Sequence, residues 1–312
     1  MTTKPGLWSL SDLPDQHGRT FLVTGTTRGG IGYHVALELV RRSGRVILAG
    51  RSKEKLAEAE AEIRRQLPSA DLEQLTVDLA DLASVRRSAA HAGSFGPIDV
   101  LVNNAGVMAP PYSRTTDGLE LQMATNHFGP FLLTGLLLPL LVASEGARVV
   151  TVSSIMHKAA RTPPLDDPRR QTGRYQRWPV YSETKLANLL FTYELDRRCR
   201  EAGLPVSALA AHPGFAGTHL AANGQYGRAS GGRASILDAA IKVVAQSAHS
   251  GALPVLMAAT ADLPGGTYCG PSSVGQTRGL PAVVDSTRLS HDEHAQRELW
   301  EISERTVGLE YP

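Results

Sequence analysis

Short apolar runs rich in strand-forming residues alternate along this chain with longer segments whose apolar positions recur at helical spacing. Thr20-Phe-Leu-Val-Thr-Gly25 is the first such run and ends in glycine. Short apolar stretches bounded by turn residues read as buried strands, and longer segments with period 3.6 read as helices. By these rules further strands are expected at Arg45–Gly50, Leu75–Leu79, Ile98–Asn103, Arg148–Ser154, Val206–His212 and Gly266–Gly270. Helices are expected after the first glycine turn through Val40, at Lys53–Gln66 behind Ser52, and at Ala83–Ala92. Asp117-x-x-Glu120 reads as a helix start leading through Asn126 into the apolar run Phe128–Ala143. Further helices are expected at Pro179–Arg200 and Ile236–Ala261, and one opened by Ser290-His-Asp-Glu293 and closed by Gly308.

Strand and helix alternate from end to end. That order predicts an α/β protein of Rossmann type: a doubly wound parallel sheet flanked by helices on both faces. No linker or repeat divides the 312 residues, so a single domain is expected over 1–312. In such sheets ligands sit beyond the carboxyl ends of the strands, where this chain places glycines and polar residues.

Composition narrows the function. The chain holds 32 Lys and Arg against 30 Asp and Glu, a formal charge of +2. That balance, without a basic stripe carrying aromatics, excludes nucleic acid and an anionic membrane as expected partners. Two cysteines and ten histidines show no metal-ligand spacing, so no metal is expected. Met1–Gly18 lacks the apolar core of a signal peptide. The run Phe128–Ala143 carries Gly129, Pro130, Gly135 and Pro139 and falls short of the roughly 20 residues that span a bilayer. A soluble, cytoplasmic protein without membrane attachment is expected. The apolar helix at 128–143 faces either the core or a partner subunit of a homo-oligomer.

The first turn carries candidate chemistry. Strand, glycine-rich turn and helix follow one another through Gly25, Thr27, Arg28, Gly30, Ile31 and Gly32. This arrangement aims backbone N–H groups and a helix N-terminus at a pyrophosphate, and glycines let the phosphates approach. The second strand ends about 20 residues on, where an adenosine ribose lies in this fold. A carboxylate there would repel a 2′-phosphate; this chain has Arg51, with Arg28 in the turn as a second guanidinium. Arginine forks suit phosphate oxygens, so NADP(H) is expected over NAD. Asp78, with Leu79 beside it, is expected near the adenine ring.

Tyr181 and Lys185 stand four apart, on one face of the expected helix. An ammonium near a phenol favours the phenolate, which predicts a tyrosine pKa below its usual value of about 10 and an acid–base role. The pair alone is weak, since two unrelated helix-surface residues give the same pattern. The polar stretches 156–178 and 215–232 are expected to cover the site and build a substrate pocket, with Trp178 pinning the first; Met108, Met156 and Trp178 read either as an apolar wall or as ordinary packing.

Taken together, these pieces resemble the short-chain dehydrogenases/reductases, and within them the retinol-dehydrogenase-like group. The likeness rests on Thr24-Gly25…Gly30-Ile31-Gly32, Asp78-Leu79-Ala80-Asp81, Asn103-Asn104-Ala105-Gly106, Asn126-His127-Phe128-Gly129, Val152-Ser153-Ser154, Tyr181-Ser-Glu-Thr-Lys185 and His212-Pro213-Gly214. It implies hydride transfer between a nicotinamide and a carbonyl or alcohol carbon of a small-molecule substrate. It assigns Tyr181 to proton transfer, Lys185 to lowering the tyrosine pKa and holding the nicotinamide ribose, and Ser154 to the substrate oxygen. Asn126 would support a water leading from the lysine. Asn104, Ala105 and Gly106 would line the adenosine side, and Pro213, Gly214 and Thr218 would border the nicotinamide. Four residues separate Gly25 from Gly30, one more than the common pattern. Two other readings stay open on the sequence: a C=C reductase, and a dinucleotide-binding regulator without chemistry.

Overall fold

The computed structural model describes residues 7–167, 174–215 and 247–312. The strands are β1 (Thr20–Thr24), β2 (Arg45–Gly50), β3 (Leu72–Thr76), β4 (Val100–Asn103), β5 (Ala147–Val152), β6 (Val206–Ala211), β7 (Tyr268–Pro271) and β8 (Pro281–Val283). They form one 8-stranded sheet in the order β3-β2-β1-β4-β5-β6-β7-β8. All neighbours are parallel except β7 and β8, which pair antiparallel at the edge.

The helices are α1 (Ile31–Arg41), α2 (Lys53–Gln66), α3 (Leu82–Ala92), α4 (Leu121–Met123), α5 (Gly129–Val142), α6 (Arg177–Glu201), α7 (Ala248–Thr260) and α8 (Glu293–Val307). Alternate strand residues feed opposite faces, as the pleat requires. Phe21, Val23, Val46 and Leu48 join the core beneath α1, α2 and α7. Leu22, Ile47, Leu101 and Val149 join the core beneath α3, α5, α6 and α8. Burial on both faces explains why β1 reads as an unbroken apolar run rather than an alternating one.

Several boundaries moved. The third strand lies at Leu72–Thr76, not Leu75–Leu79, because Val46 of β2 pairs with Leu72 and Gly50 with Thr76. Asp78 therefore sits past the strand, in the turn to α3, where its carboxylate accepts the Ala80 N–H at 2.9 Å. Asp117 does not open the next helix; it accepts the Leu82 N–H at 3.0 Å. The cap is Glu120, whose carboxylate takes the N–H groups of Gln122 and Met123. The last helix is capped by Asp292 rather than Ser290, which belongs to the short turn Arg288–His291. Gly308 does close it, in the left-handed conformation. The edge strand β8 carried no signal beyond three residues. Of the helix expected at Ile236–Ala261, Ala248–Thr260 is described and the earlier part lies outside the described residues.

The apolar run is part of a longer helical stretch, because the π-helical segment Ala124–Phe128 joins α4 to α5. Leu121–Val142 spans 22 residues and is the one stretch among the described residues long and apolar enough to cross a membrane. Its most apolar window is 67% buried in the fold, and at Gly135 an added Cβ would meet Tyr311, so α5 faces the core and the C-terminal tail.

Candidate active site

The carboxyl ends of β1, β4, β5 and β6 lie side by side at one end of the sheet. There α6 crosses β5 and β6 and carries Tyr181 and Lys185, both buried. The Ser154 side chain, which follows β5, lies near the Tyr181 phenol and acts to lower its pKa. The Lys185 ammonium passes 5.8 Å from the centre of the Tyr181 ring. It donates to the Val152 carbonyl at 3.1 Å. Ser153, the first hydroxyl of its pair, donates at 2.8 Å to the Lys185 carbonyl and ties α6 to β5. The second hydroxyl, Ser154, accepts the Met156 N–H at 3.2 Å.

The expected lowering of the tyrosine pKa is not what the folded protein gives. Burial pushes the Tyr181 phenol up to about 12, with only the Ser154 side chain acting the other way. Burial also pushes Lys185 down to about 8. Both charged forms lose hydration in this cleft, and the ammonium is directed at a backbone carbonyl rather than at the phenol, so desolvation wins.

Asn126 lies inside the π-helical segment, a local widening frequent at functional sites. Its amide nitrogen donates to the Val107 carbonyl at 2.9 Å and to Thr184 Oγ1 at 3.0 Å. Its amide oxygen accepts the Val107 N–H at 2.8 Å. Both amide hydrogens are therefore committed to protein, and the side chain serves as a brace between the turn after β4 and α6. Gly106 completes that junction: a Cβ there would lie 3.0 Å from Asn126 Oδ1 and 3.6 Å from Lys185 Nζ.

The glycine turn is similarly closed. Gly25 and Gly29 both have positive φ. A Cβ on Gly32 would lie 2.6 Å from the Asn104 amide nitrogen and 2.7 Å from the Gly25 carbonyl oxygen. Gly30 is the N-cap of α1 and offers no side-chain cap, which leaves first-turn N–H groups to an outside acceptor. Thr27 and Arg28 are exposed on the turn, whereas Ile31 packs inward. Asn104 does not stand free in the cleft; its amide donates to the Thr24 carbonyl at 2.7 Å. The sequence marks Thr24 only as part of the Thr24-Gly25 motif, without a role; its hydroxyl oxygen accepts the N–H groups of both Asn104 and Ala105 at 3.0 Å. Gly29 is likewise part of the turn without an assigned role.

Arg51 is exposed at the end of β2, with no ion pair or side-chain hydrogen bond among the described residues. Arg28 stands 3.6 Å from Glu62 on α2. Leu79 is brought against the π-helical segment by Gly129, where any Cβ would collide with the Leu79 carbonyl. Gly214, at positive φ, donates its N–H to His212 Nδ1 at 3.2 Å in the turn that also holds Pro213. Thr218 lies outside the described residues.

An open, shallow hollow of about 440 Å³ is lined by Pro111, Tyr175, Gln176, Arg177, Trp178 and Pro179; Tyr181 and Ser154 are not among its lining residues. Trp178 stands edge-on to Tyr181 at 6.2 Å. Gln122 braces this wall, donating to the Tyr175 hydroxyl at 2.7 Å and to the Arg177 carbonyl at 3.0 Å. Met108 and Met156 do not line it.

The short chain dehydrogenase family profile matches residues 19–164. The chain is 39% identical to human retinol dehydrogenase 13 over 297 residues, covering 95% of this chain and 86% of that protein. It is 36% identical to a polyprenol dehydrogenase of Danio rerio, over 96% of this chain and 90% of that protein. The crystal structure of an uncharacterized protein from Mycobacterium paratuberculosis superposes with a TM-score of 0.80 at 40% identity, covering 98% of this chain and 100% of the other.

Proposed function

The chain belongs to the short-chain dehydrogenase/reductase family, in its retinol-dehydrogenase-like group, and from that premise we propose that it interconverts a carbonyl and an alcohol with NADP(H) on an apolar substrate. The single observation that carries the reading is the buried Tyr181 phenol with Ser154 close by and the Lys185 ammonium alongside.

The chain's residues fit a dinucleotide. The uncapped start of α1 at Gly30, with its first-turn N–H groups unclaimed by a side-chain cap, suits a pyrophosphate. Arg51, unpaired among the described residues, and Arg28 on the glycine turn would suit a 2′-phosphate. When bound, the nicotinamide would supply or accept the hydride. The chain's own groups manage the proton. Because Ser154 Oγ already accepts the Met156 N–H, its own hydrogen is available to a substrate oxygen. That donation stabilises charge building on the oxygen during reduction. Tyr181, kept protonated by burial, is the general acid that passes a proton to the same oxygen. Lys185, softened to about 8, can shuttle between charge states near neutral pH and hold a ribose hydroxyl. The open hollow walled by Trp178, Tyr175 and Pro111, with Trp178 edge-on to Tyr181, suits an apolar body on the substrate.

The test compares wild type with Tyr181→Phe across a panel of ketones and aldehydes. NADPH consumption should vanish in the variant while NADPH fluorescence titration shows unchanged binding. Undiminished turnover by Tyr181→Phe would remove the proton-transfer role.

A further inference from the structure

Behind Ser154 lies a histidine that the proton-transfer scheme does not use. His157 is fully buried, and its Nδ1 is 2.7 Å from the Ser154 carbonyl oxygen. The His157 backbone N–H meets the same oxygen at 3.0 Å. A carbonyl oxygen only accepts, so Nδ1 must carry the ring hydrogen and Nε2 is a bare acceptor. Nε2 is buried and has no hydrogen-bond partner among the described residues. The Ser154 carbonyl is therefore the one hydrogen-bond partner of this ring among them.

Apolar contacts hold the ring in place. It stands edge-on to Tyr268, centroids 5.6 Å apart at 83°. His212 packs against the same tyrosine at 5.2 Å. Burial lowers His157 to about 4, so at neutral pH the imidazole is uncharged and acts as a single-hydrogen donor. A phenyl ring would fill this space without leaving an orphaned acceptor. What the imidazole adds is the bond to Ser154.

That bond sits at a joint. Up to Ser153 the chain is held by strand pairing, with the Ser153 N–H on the Ala211 carbonyl at 2.8 Å. After Ser154 it turns into the 3-10 segment Ile155–Ala159. The Ser154 carbonyl is where the direction changes, so a clamp on it steadies the backbone that carries the serine side chain.

We propose that His157 is a positioning residue, which clamps the Ser154 carbonyl and thereby fixes the serine hydroxyl against Tyr181 and the substrate oxygen. This rests on the proton-transfer reading of Ser154 and Tyr181.

Three substitutions separate the roles of the ring. His157→Asn places an amide N–H near the Nδ1 position and keeps the donation. His157→Gln places its amide near Nε2 and loses it. His157→Phe keeps the ring packing and loses both nitrogens. With NADPH and a ketone turned over by wild type, His157→Asn should stay within about threefold in kcat, while His157→Gln and His157→Phe fall about tenfold or more with KM nearly constant. A second readout needs no cofactor. Ultraviolet difference titration against Tyr181→Phe should show the Tyr181 ionisation moving to higher pH in His157→Gln and His157→Phe but not in His157→Asn, because the Ser154 side chain that lowers it is loosened.

Equal kcat in the Asn and Gln variants, or an unmoved Tyr181 titration in His157→Phe, would overturn the proposal. Should the Gln variant fail to fold, the Asn–Phe pair decides alone. Activity surviving in Tyr181→Phe defeats the underlying reading instead. Tyr181→Phe inactive with His157→Gln fully active defeats only this one.

Discussion

Lys185 directs its ammonium at the Val152 carbonyl, 3.1 Å away, while passing 5.8 Å from the centre of the Tyr181 ring. The lysine thus braces the sheet edge in the protein alone and leaves the phenol to the effect of burial. Tyr181 should ionise near pH 12, well above the usual 10. A folded pKa raised above the unfolded one gives stability that is complete below pH 10 and lost as pH rises through 12. Ultraviolet difference titration of the cofactor-free protein against Tyr181→Phe measures this, and ionisation below pH 10 contradicts it.

Gly32→Ala places a methyl group between the Asn104 amide at 2.6 Å and the Gly25 carbonyl at 2.7 Å. Both neighbours are held by the Thr24 network and have little room to retreat. The variant should lose about 1–3 kcal/mol of stability, as overpacking does, together with NADPH affinity. Urea unfolding and fluorescence titration provide the two numbers. A variant as stable and as tight-binding as wild type would mean that the turn is looser than this geometry.

Arg51 is exposed and unpaired among the described residues, so its replacement costs the fold little. Arg51→Asp exchanges a charge-assisted donor for a repelling carboxylate. At about 1.5–3 kcal/mol per charged hydrogen bond, preference should move from NADP toward NAD by roughly ten- to a hundredfold. The ratio of kcat/KM for NADPH and NADH reads this directly, and an unchanged ratio counts against a 2′-phosphate at that strand end.

His127 is buried beside Phe131 and Phe191, and its Nε2 is 2.8 Å from the Ser303 hydroxyl. Burial lowers it to about 3 from 6.5. A folded pKa below the unfolded one gives stability that is present above pH 6.5 and lost as pH falls toward 3. Between pH 7 and pH 4 the wild type should lose about 3 kcal/mol more than His127→Gln, at about 1.4 kcal/mol per pKa unit. Urea unfolding at both pH values measures the difference, and parallel losses would show that His127 protonates without cost.

The chain's own order of residues determined the alternation of strand and helix, the two-sided burial of β1, and the clustering of Gly25, Gly32, Ser154, Tyr181 and Lys185 beyond the strand ends. Periodicity and spacing are local, so they survive without the fold. What only the tertiary structure decided is how the groups are charged and aimed. Register against β2, not the apolar pattern, drew β3 back to Leu72–Thr76. Thr24 became the tie for the turn after β4, and Asn126 spent its amide hydrogens on Val107 and Thr184. Tyr181 moved up in pKa rather than down, because desolvation depends on what surrounds a group in space and no spacing along the chain encodes it.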